Sequence, residues 1–535
     1  MSTPFSEAAS SAAGAPSVAE RFPSSLFERL AGRISLASTA HQRAPLHAPT
    51  TGELLYQVPL CTAEDVREAV RRAREVQKEW ARRTFKERAR VFLRFHDRLL
   101  RRQDAILDII QAETGKSRKH AFEEIADTAN ASRYYALHGE APLRPRRRRG
   151  AFPALTATWE LHHPLGVIGF IEPWNYPLSL AVTDAVPALL AGNAVVLKPA
   201  EQTPFCALWA MDQLAEAGLP EGLFQAVTGR GRDLGTPLIQ SADFVCFTGS
   251  TATGRIVARQ AGERLIGCSL ELGGKNPMLV LADADIDRAA RGAVRGSFAN
   301  AGQLCIAMER IYVHASIFEQ FLKRFAELTR SLKLGASFDY DMDMGSLISR
   351  EQLDKVDRHV KDAVAKGATV AAGGRPRPDL GPFFYEPTIL LDVTEKMELY
   401  KEETFGPVVS VYRFESIDEA IEKANATPYG LNASIWTNDT RLGRKLGARI
   451  QAGTVNINEA YAAGWGSMDA PMGGVKDSGL GRRHGAEGIL KYTEAQTLSV
   501  QRLLPVAAPP GVSERAYSRA LGRALSWIRW IPGIR

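Results

Sequence analysis

Three runs in this chain carry residues that together could act on a carbonyl. Cys305, in Asn300-Ala301-Gly302-Gln303-Leu304-Cys305, offers a thiol. Glu271, in Glu271-Leu272-Gly273-Gly274-Lys275, offers a carboxylate, and Asn175, in Pro173-Trp174-Asn175-Tyr176-Pro177, offers a side-chain amide. A thiolate captures an electrophilic carbon, N–H groups hold the oxyanion that forms, and a carboxylate of raised pKa takes a proton from water so that a thioester is hydrolysed. Singly, each residue has a structural explanation. A lone Cys is commonly a small buried hydrophobe, a lone Glu a salt bridge or cap, and a lone Asn a turn former. The three runs in this order are harder to explain that way.

A second set could hold a nucleotide. Lys198 and Glu201 follow an apolar strand, Ala194–Leu197, where they could hydrogen-bond ribose hydroxyls; a surface Lys–Glu pair is the competing reading. Gly249-Ser250-Thr251-Ala252-Thr253-Gly254 joins the apolar run Phe244–Phe247 to a helix near Thr253–Gln260. Its glycines permit close backbone approach and its helix start could meet phosphate, yet a purely structural turn fits as well. It is not the G-x-G-x-x-G fingerprint. A carboxylate at Glu201 would repel a ribose 2′-phosphate, which favours NAD, with NADP possible.

The elements around these runs alternate. Strands at Val167–Ile171, Ala194–Leu197 and Phe244–Phe247 are separated by helices near Ser179–Leu190 and Pro204–Ala217, which implies parallel strands with crossover helices. The polar runs follow those strands directly, at the edge where open α/β sheets bind ligands. A second α/β region spans roughly 273–470, with strands at Asn276–Leu281, Arg310–His314, Val408–Tyr412 and Ala433–Trp436. Its helices lie near Ile286–Ala299, Ile317–Leu332 and Ile417–Asn425. Upstream, Thr62 with Asp65 begins a helix, and a longer helical stretch covers Lys86–Glu113. Thr156, Thr158, Glu160 and His162 alternate as in a strand of an exposed hairpin.

At 535 residues, two or three folding units are expected. Hydrophobic content of 45% and charged content of 24% are those of a globular chain. The net charge of +7 is concentrated around Arg144–Arg149 and in the C-terminal tail, and no nucleic-acid-binding motif accompanies it. Five irregularly spaced cysteines and no metal-ligand spacing suggest a reducing, cytoplasmic location and no metal. Residues 1–25 read as a disordered lead. In the tail, Arg515, Arg519 and Arg523 recur every fourth residue, while Tyr517, Leu521, Ala524, Leu525, Ile528 and Ile531 can share another face. Residues 513–531 could therefore lie on an anionic membrane, or dock on protein.

With these runs in order, the chain resembles NAD(P)-dependent aldehyde dehydrogenases from about residue 45 to about residue 500. The matching runs are Pro173–Pro177, Lys198–Pro204, Phe247–Gly254, Glu271–Pro277, Asn300–Cys305, Glu402–Pro407 and Pro471–Gly481. The resemblance implies an α/β fold: a Rossmann-type cofactor domain (26–140 and 164–272), an α/β catalytic domain (273–494), and a small β oligomerisation element (141–163 and 495–504). A basic tail (505–535) follows, and the implied assembly is a homodimer or homotetramer. The resemblance also implies that Cys305 is the nucleophile, Glu271 the general base and Asn175 an oxyanion donor. Ile171, Trp174, Lys198, Glu201, Gly249 and Ser250 would line the cofactor site, with Glu403 on the nicotinamide ribose and Phe405 beside the ring. Retention of Glu271 favours hydrolysis over acyl transfer to CoA.

Ser269–Pro277, Phe383–Pro387 and Ala470–Arg483 resemble a bacterial subgroup described as succinate-semialdehyde dehydrogenases. Better-known enzymes handling that substrate carry two arginines where this chain has Thr183 and Ala299. Those would be the natural partners of a substrate carboxylate; Arg295 is a possible substitute. The loop Glu459–Met468, with Tyr461 and Trp465, suits a medium- or long-chain or aromatic aldehyde, or simply packs an interface. A catalytically silent relative is the reading from another class.

Overall fold

Apolar runs bounded by turn-forming residues build two largely parallel sheets. The computed structural model describes residues 17–18, 20–38, 41–150, 156–502 and 507–530. Of the lead expected over 1–25, residues 1–16 and 19 lie outside the described residues; a helix occupies Ser24–Ala31.

The first sheet has six strands in the order Gly479–Leu480, Gly267–Glu271, Phe244–Thr248, Val167–Ile171, Ala194–Lys198 and Phe224–Ala226. All run parallel except the two-residue edge strand Gly479–Leu480. The three central strands are buried along their whole length, which is why they read as continuous apolar runs rather than alternating ones. Register then sets the site. Ile171 lies opposite Lys198 and Phe247, and Thr248 opposite Glu271, so four strand ends open on one edge.

The second sheet has seven strands, ordered Thr369–Ala372, Thr388–Leu391, Val408–Phe414, Met308–His314, Asn276–Val280, Asn432–Trp436 and Thr454–Ile457. Only Thr369–Ala372 is antiparallel to its neighbour. Each sheet has its own apolar core, and Ile489 and Tyr492, late in the chain, pack into the core of the first.

Helix starts follow local chemistry. Thr62 caps Ala63–Arg82 and Thr84 caps Phe85–Arg101, each through a reciprocal capping box with Asp65 or Glu87. Two expected helices are broken. Lys86–Glu113 is two helices, Phe85–Arg101 and Gln103–Thr114, because Arg102 leaves helical geometry (φ −111°, ψ 22°). Ser179–Leu190 divides at Asp184 into Pro177–Thr183 and Ala185–Leu190. Pro187 has no N–H to return to Thr183, and its ring crowds that carbonyl.

A third sheet stands apart from both cores. Thr156–Pro164 lies between Arg146–Arg148 and Thr493–Gln501, all antiparallel. Thr493–Gln501 is exposed over almost its whole length; residues 151–155 and 503–506 lie outside the described residues. The tail forms a helix, Glu514–Ile528, capped by Ser513 and without a buried residue. Among the described residues no helix is long and apolar enough to cross a membrane.

Candidate active site

Cys305 sits at the end of a backbone turn that few sequences tolerate. Asn300, Ala301 and Gly302 are successively left-handed (φ 49°, 53° and 70°). Non-glycine residues held there cost about 1–3 kcal/mol each, so surrounding bonds must hold the shape. At Gly302 only glycine fits, since a Cβ would stand 2.1 Å from the Gly406 carbonyl oxygen. Gln303 Nε2 donates to the Asn300 carbonyl (3.1 Å), and its Oε1 accepts from the Ile348 N–H (2.9 Å). Asn276 Nδ2 donates to the carbonyls of Cys305 (2.7 Å) and Ala307 (2.8 Å), pinning the residue after the turn to the second sheet.

The Cys305 thiol is half-buried, and burial pushes its pKa up to about 12. The carboxylates of Glu403 and Glu271 add to that rise, and Arg483 opposes it. Glu271, the last residue of Gly267–Glu271, is buried; its Oε1 has no hydrogen-bond partner, and burial lifts its pKa to about 7. A carboxyl poised near neutrality is the protonation behaviour a water-activating base needs. Asn175 is also buried, and its Nδ2 donates to the Gln303 carbonyl (3.2 Å), so its amide N–H faces the turn that carries Cys305. The structure thus brings the three residues from separate runs into one locality.

Two buried ion pairs behind these residues were not legible in the sequence. Lys116 Nζ donates to Glu124 (2.6 Å) and to the Asn175 carbonyl (2.6 Å), while Glu124 accepts from the N–H groups of Leu178 and Ser179. Lys116 therefore ties Asn175 to the helix that follows it. Arg483 pairs with Asp184 (2.7 Å) and donates to the Thr248 hydroxyl (2.9 Å). It is buried beside Glu271 and holds that carboxyl's pKa down against desolvation. In Gly481-Arg482-Arg483-His484 nothing marks Arg483 as interior; its only signal is that it closes the matching run Ala470–Arg483.

Ile171, Trp174, Lys198, Glu201, Gly249 and Ser250 lie at or just beyond the strand ends of the first sheet, while Glu403 and Phe405 come from the run before a strand of the second. Lys198 is buried at its strand end, with a pKa lowered by burial to about 8 and supported by exposed Glu201. Ser250 caps the helix Thr251–Glu263, its hydroxyl accepting from the Thr253 N–H, and Gly249 precedes it. Trp174 and Phe405 meet edge to face at 5.5 Å. Glu403 Oε1 accepts from the Gly274 N–H (2.8 Å), and burial raises its pKa to about 7. The Glu402–Pro407 run is held by Glu309, which accepts from the N–H groups of Thr404 (3.0 Å) and Phe405 (2.9 Å) and pairs with buried Lys275.

On the other side of Cys305, Tyr176, Leu304, Ile306, Ala460, Tyr461 and Met472 form an apolar cluster, with Trp465 against it. Two cations border it: Lys116 Nζ lies over the Tyr176 ring (3.9 Å), and Arg295, engaged by Glu123 (3.3 Å) and Glu459 (3.9 Å), stacks over Tyr461. Thr183 and Ala299 are both buried.

A strained cysteine turn and a buried carboxyl beside the carboxyl edge of a parallel sheet suit the oxidation of an aldehyde, and sequence comparison gives the class. Residues 36–498 match the aldehyde dehydrogenase family, and the chain belongs to it. A Mycolicibacterium smegmatis protein named "Putative succinate-semialdehyde dehydrogenase", NADP-dependent, is 50% identical over 97% of this chain and 99% of its own length. Among solved structures, an NADP-dependent enzyme from E. coli is 34% identical with a TM-score of 0.83, covering 88% of this chain and 96% of its own. An aldehyde dehydrogenase from Bacillus cereus in complex with NAD+ is 35% identical with a TM-score of 0.82, covering 86% and 93%. The chain is therefore an NAD(P)-dependent enzyme that oxidises an aldehyde to an acid.

Proposed function

We propose that oxidation runs through a thioester on Cys305. The Cys305 thiol gives its proton to water, the thiolate attacks the aldehyde carbon, and the oxyanion of the thiohemiacetal accepts from the Asn175 amide and the Cys305 N–H. When bound, the nicotinamide supplies the hydride acceptor that turns the thiohemiacetal into a thioester. Glu271 then takes a proton from water, the resulting hydroxide adds to the thioester, and the acid leaves as the Cys305 thiol reforms. The observation that carries this reading is the buried Glu271 carboxyl, titrating near 7 with an unpartnered oxygen, beside the Cys305 turn. Cys305→Ala should abolish oxidation and leave cofactor binding intact; normal steady turnover of that variant would refute the assignment.

The residues present suit a dinucleotide. Buried Lys198, the Ser250-capped helix start, Glu403 and the Trp174–Phe405 pair, together with Ile171 and Gly249, would hold it. For its identity, the Glu201 carboxylate supports NAD by repelling a 2′-phosphate. The relatives' names support NADP, and because Glu201 is exposed it is free to turn aside. Initial rates with both cofactors, in wild type and Glu201→Ser, decide this: an NAD enzyme loses its preference in the variant.

Succinate semialdehyde is the substrate supported by the relatives' names, with Arg295 as the cation for its carboxylate. A second reading has its own observation. Two carboxylates already neutralise Arg295 and the cluster around Cys305 is apolar, which favours an uncharged medium- or long-chain or aromatic aldehyde. A specificity constant for succinate semialdehyde above those of hexanal and benzaldehyde, reduced in Arg295→Met, supports the first; the reverse order supports the second.

Residues 26–140 with 164–272, and 273–494, serve as cofactor and catalytic units. The third sheet is the assembly element of a homodimer or homotetramer, since Thr493–Gln501 offers an exposed edge. Five free cysteines suit a cytoplasmic location.

A further inference from the structure

His359 is fully buried in the helix Arg350–Ala365, yet its Nε2 has no hydrogen-bond partner. That atom points at two exposed carboxylates, 3.7 Å from Glu402 and 3.9 Å from Glu398. Both gaps are too long for an N–H···O bond. The three donor atoms lie within 4.8 Å of one another, so the two exposed glutamates need only swing inward to reach the ~3.3 Å ligand spacing that tetrahedral bonds of ~2.0–2.1 Å produce. On the other side of the ring, Nδ1 is 3.2 Å from the Thr404 hydroxyl. In the tautomer that carries its proton on Nδ1, that N–H donates to the Thr404 hydroxyl and the Nε2 lone pair faces the carboxylates, the arrangement found where histidine ligates a metal. A lone pair facing two negative groups calls for a cation between them.

We propose that His359 Nε2, Glu398 and Glu402 bind one divalent transition-metal ion of the zinc class, with water completing its shell. Imidazole with two carboxylates suits zinc or cobalt better than calcium or magnesium, which prefer all-oxygen shells. The glutamates are the entry path: their side chains are 40% and 64% exposed. Arg358 Nε donates to Glu398 Oε2 (3.2 Å) and competes with the ion for that oxygen. Glu402 therefore carries more of the affinity. Because Glu402 adjoins Glu403, the bound ion braces the segment that carries Glu403 and Phe405.

Cobalt(II) is the probe, because its visible absorption reports its donors. The titration uses the full chain with Cys305→Ala, so that the thiol does not compete. One cobalt per chain is expected, with visible bands and no thiolate charge-transfer band. Affinity should fall at least tenfold in Glu402→Gln and in His359→Gln. No saturable binding, a thiolate band, or an affinity unchanged by Glu402→Gln would each overturn the proposal. Glu402 is exposed, so its variant keeps the test decisive even if His359→Gln misfolds.

Discussion

At the scale of single residues, burial of Glu271 sets both the working pH and a stability cost. Its pKa lies near 7 in the fold against an ordinary carboxylate value of about 4.5. Thioester hydrolysis by the deprotonated form should therefore rise with pH through about 7 and then level off, which single-turnover deacylation rates would show. The linkage runs the other way for stability. A carboxyl whose pKa is raised by folding holds its proton more tightly in the native state, so stability falls as pH climbs from about 4.5 through about 7. Glu271→Gln removes that loss: it should melt a few degrees higher than wild type at pH 8 and no higher at pH 4. The thiol makes a parallel prediction. With a pKa near 12, the Cys305 thiolate fraction is small at neutral pH, so alkylation of the free enzyme should accelerate about tenfold per pH unit between pH 8 and 10. A rate already flat at pH 8 would mean a thiolate stabilised by a group not identified here.

At the scale of elements, the capping boxes and buried strands were legible because they depend on neighbours in sequence. Thr62 with Asp65 starts its helix as expected, and the three central strands fall within a residue of their apolar runs. What escaped depends on distant partners. The helix after Asn175 divides at Asp184, whose carboxylate pairs with Arg483, a partner that nothing in the local run announces. Likewise Lys116 is buried only because Glu124 and the Asn175 carbonyl receive it. Lys116→Met leaves the Glu124 charge buried alone and should cost about 3–5 kcal/mol in chemical denaturation. In the nucleophile turn, Gly302→Ala meets both a left-handed φ and the Gly406 carbonyl. Activity should drop at least a hundredfold with cofactor affinity changed far less, because the turn aims Cys305 and not the sheet edge.

At the scale of the whole molecule, the site forms where the carboxyl edge of one sheet meets the cysteine turn supported by the other. The exposed third sheet leaves Leu498 and Val500 at 48% and 45% exposure, a surface that a second copy would cover. Light scattering should give a dimer or tetramer, and Leu498→Glu with Val500→Glu should shift it toward monomer. The tail helix adds Trp527, 74% exposed, beside its arginines, and Trp530, 63% exposed, follows its end. Tighter binding of wild type than of a chain ending at Pro510 to anionic liposomes, weakened by high salt, would assign the tail to a membrane surface. Equal binding by both would assign the tail to protein contact instead.

The central claim is a thioester on Cys305 that Glu271 hydrolyses, and trapping it is the most direct test. Glu271→Gln mixed with cofactor and aldehyde should give one burst of NAD(P)H per site, followed by turnover slowed at least a hundredfold. Intact-protein mass spectrometry should then find the acyl group on the peptide containing Cys305, labile to hydroxylamine. Steady turnover near the wild-type rate, with no acyl mass on Cys305 at any time, would contradict it.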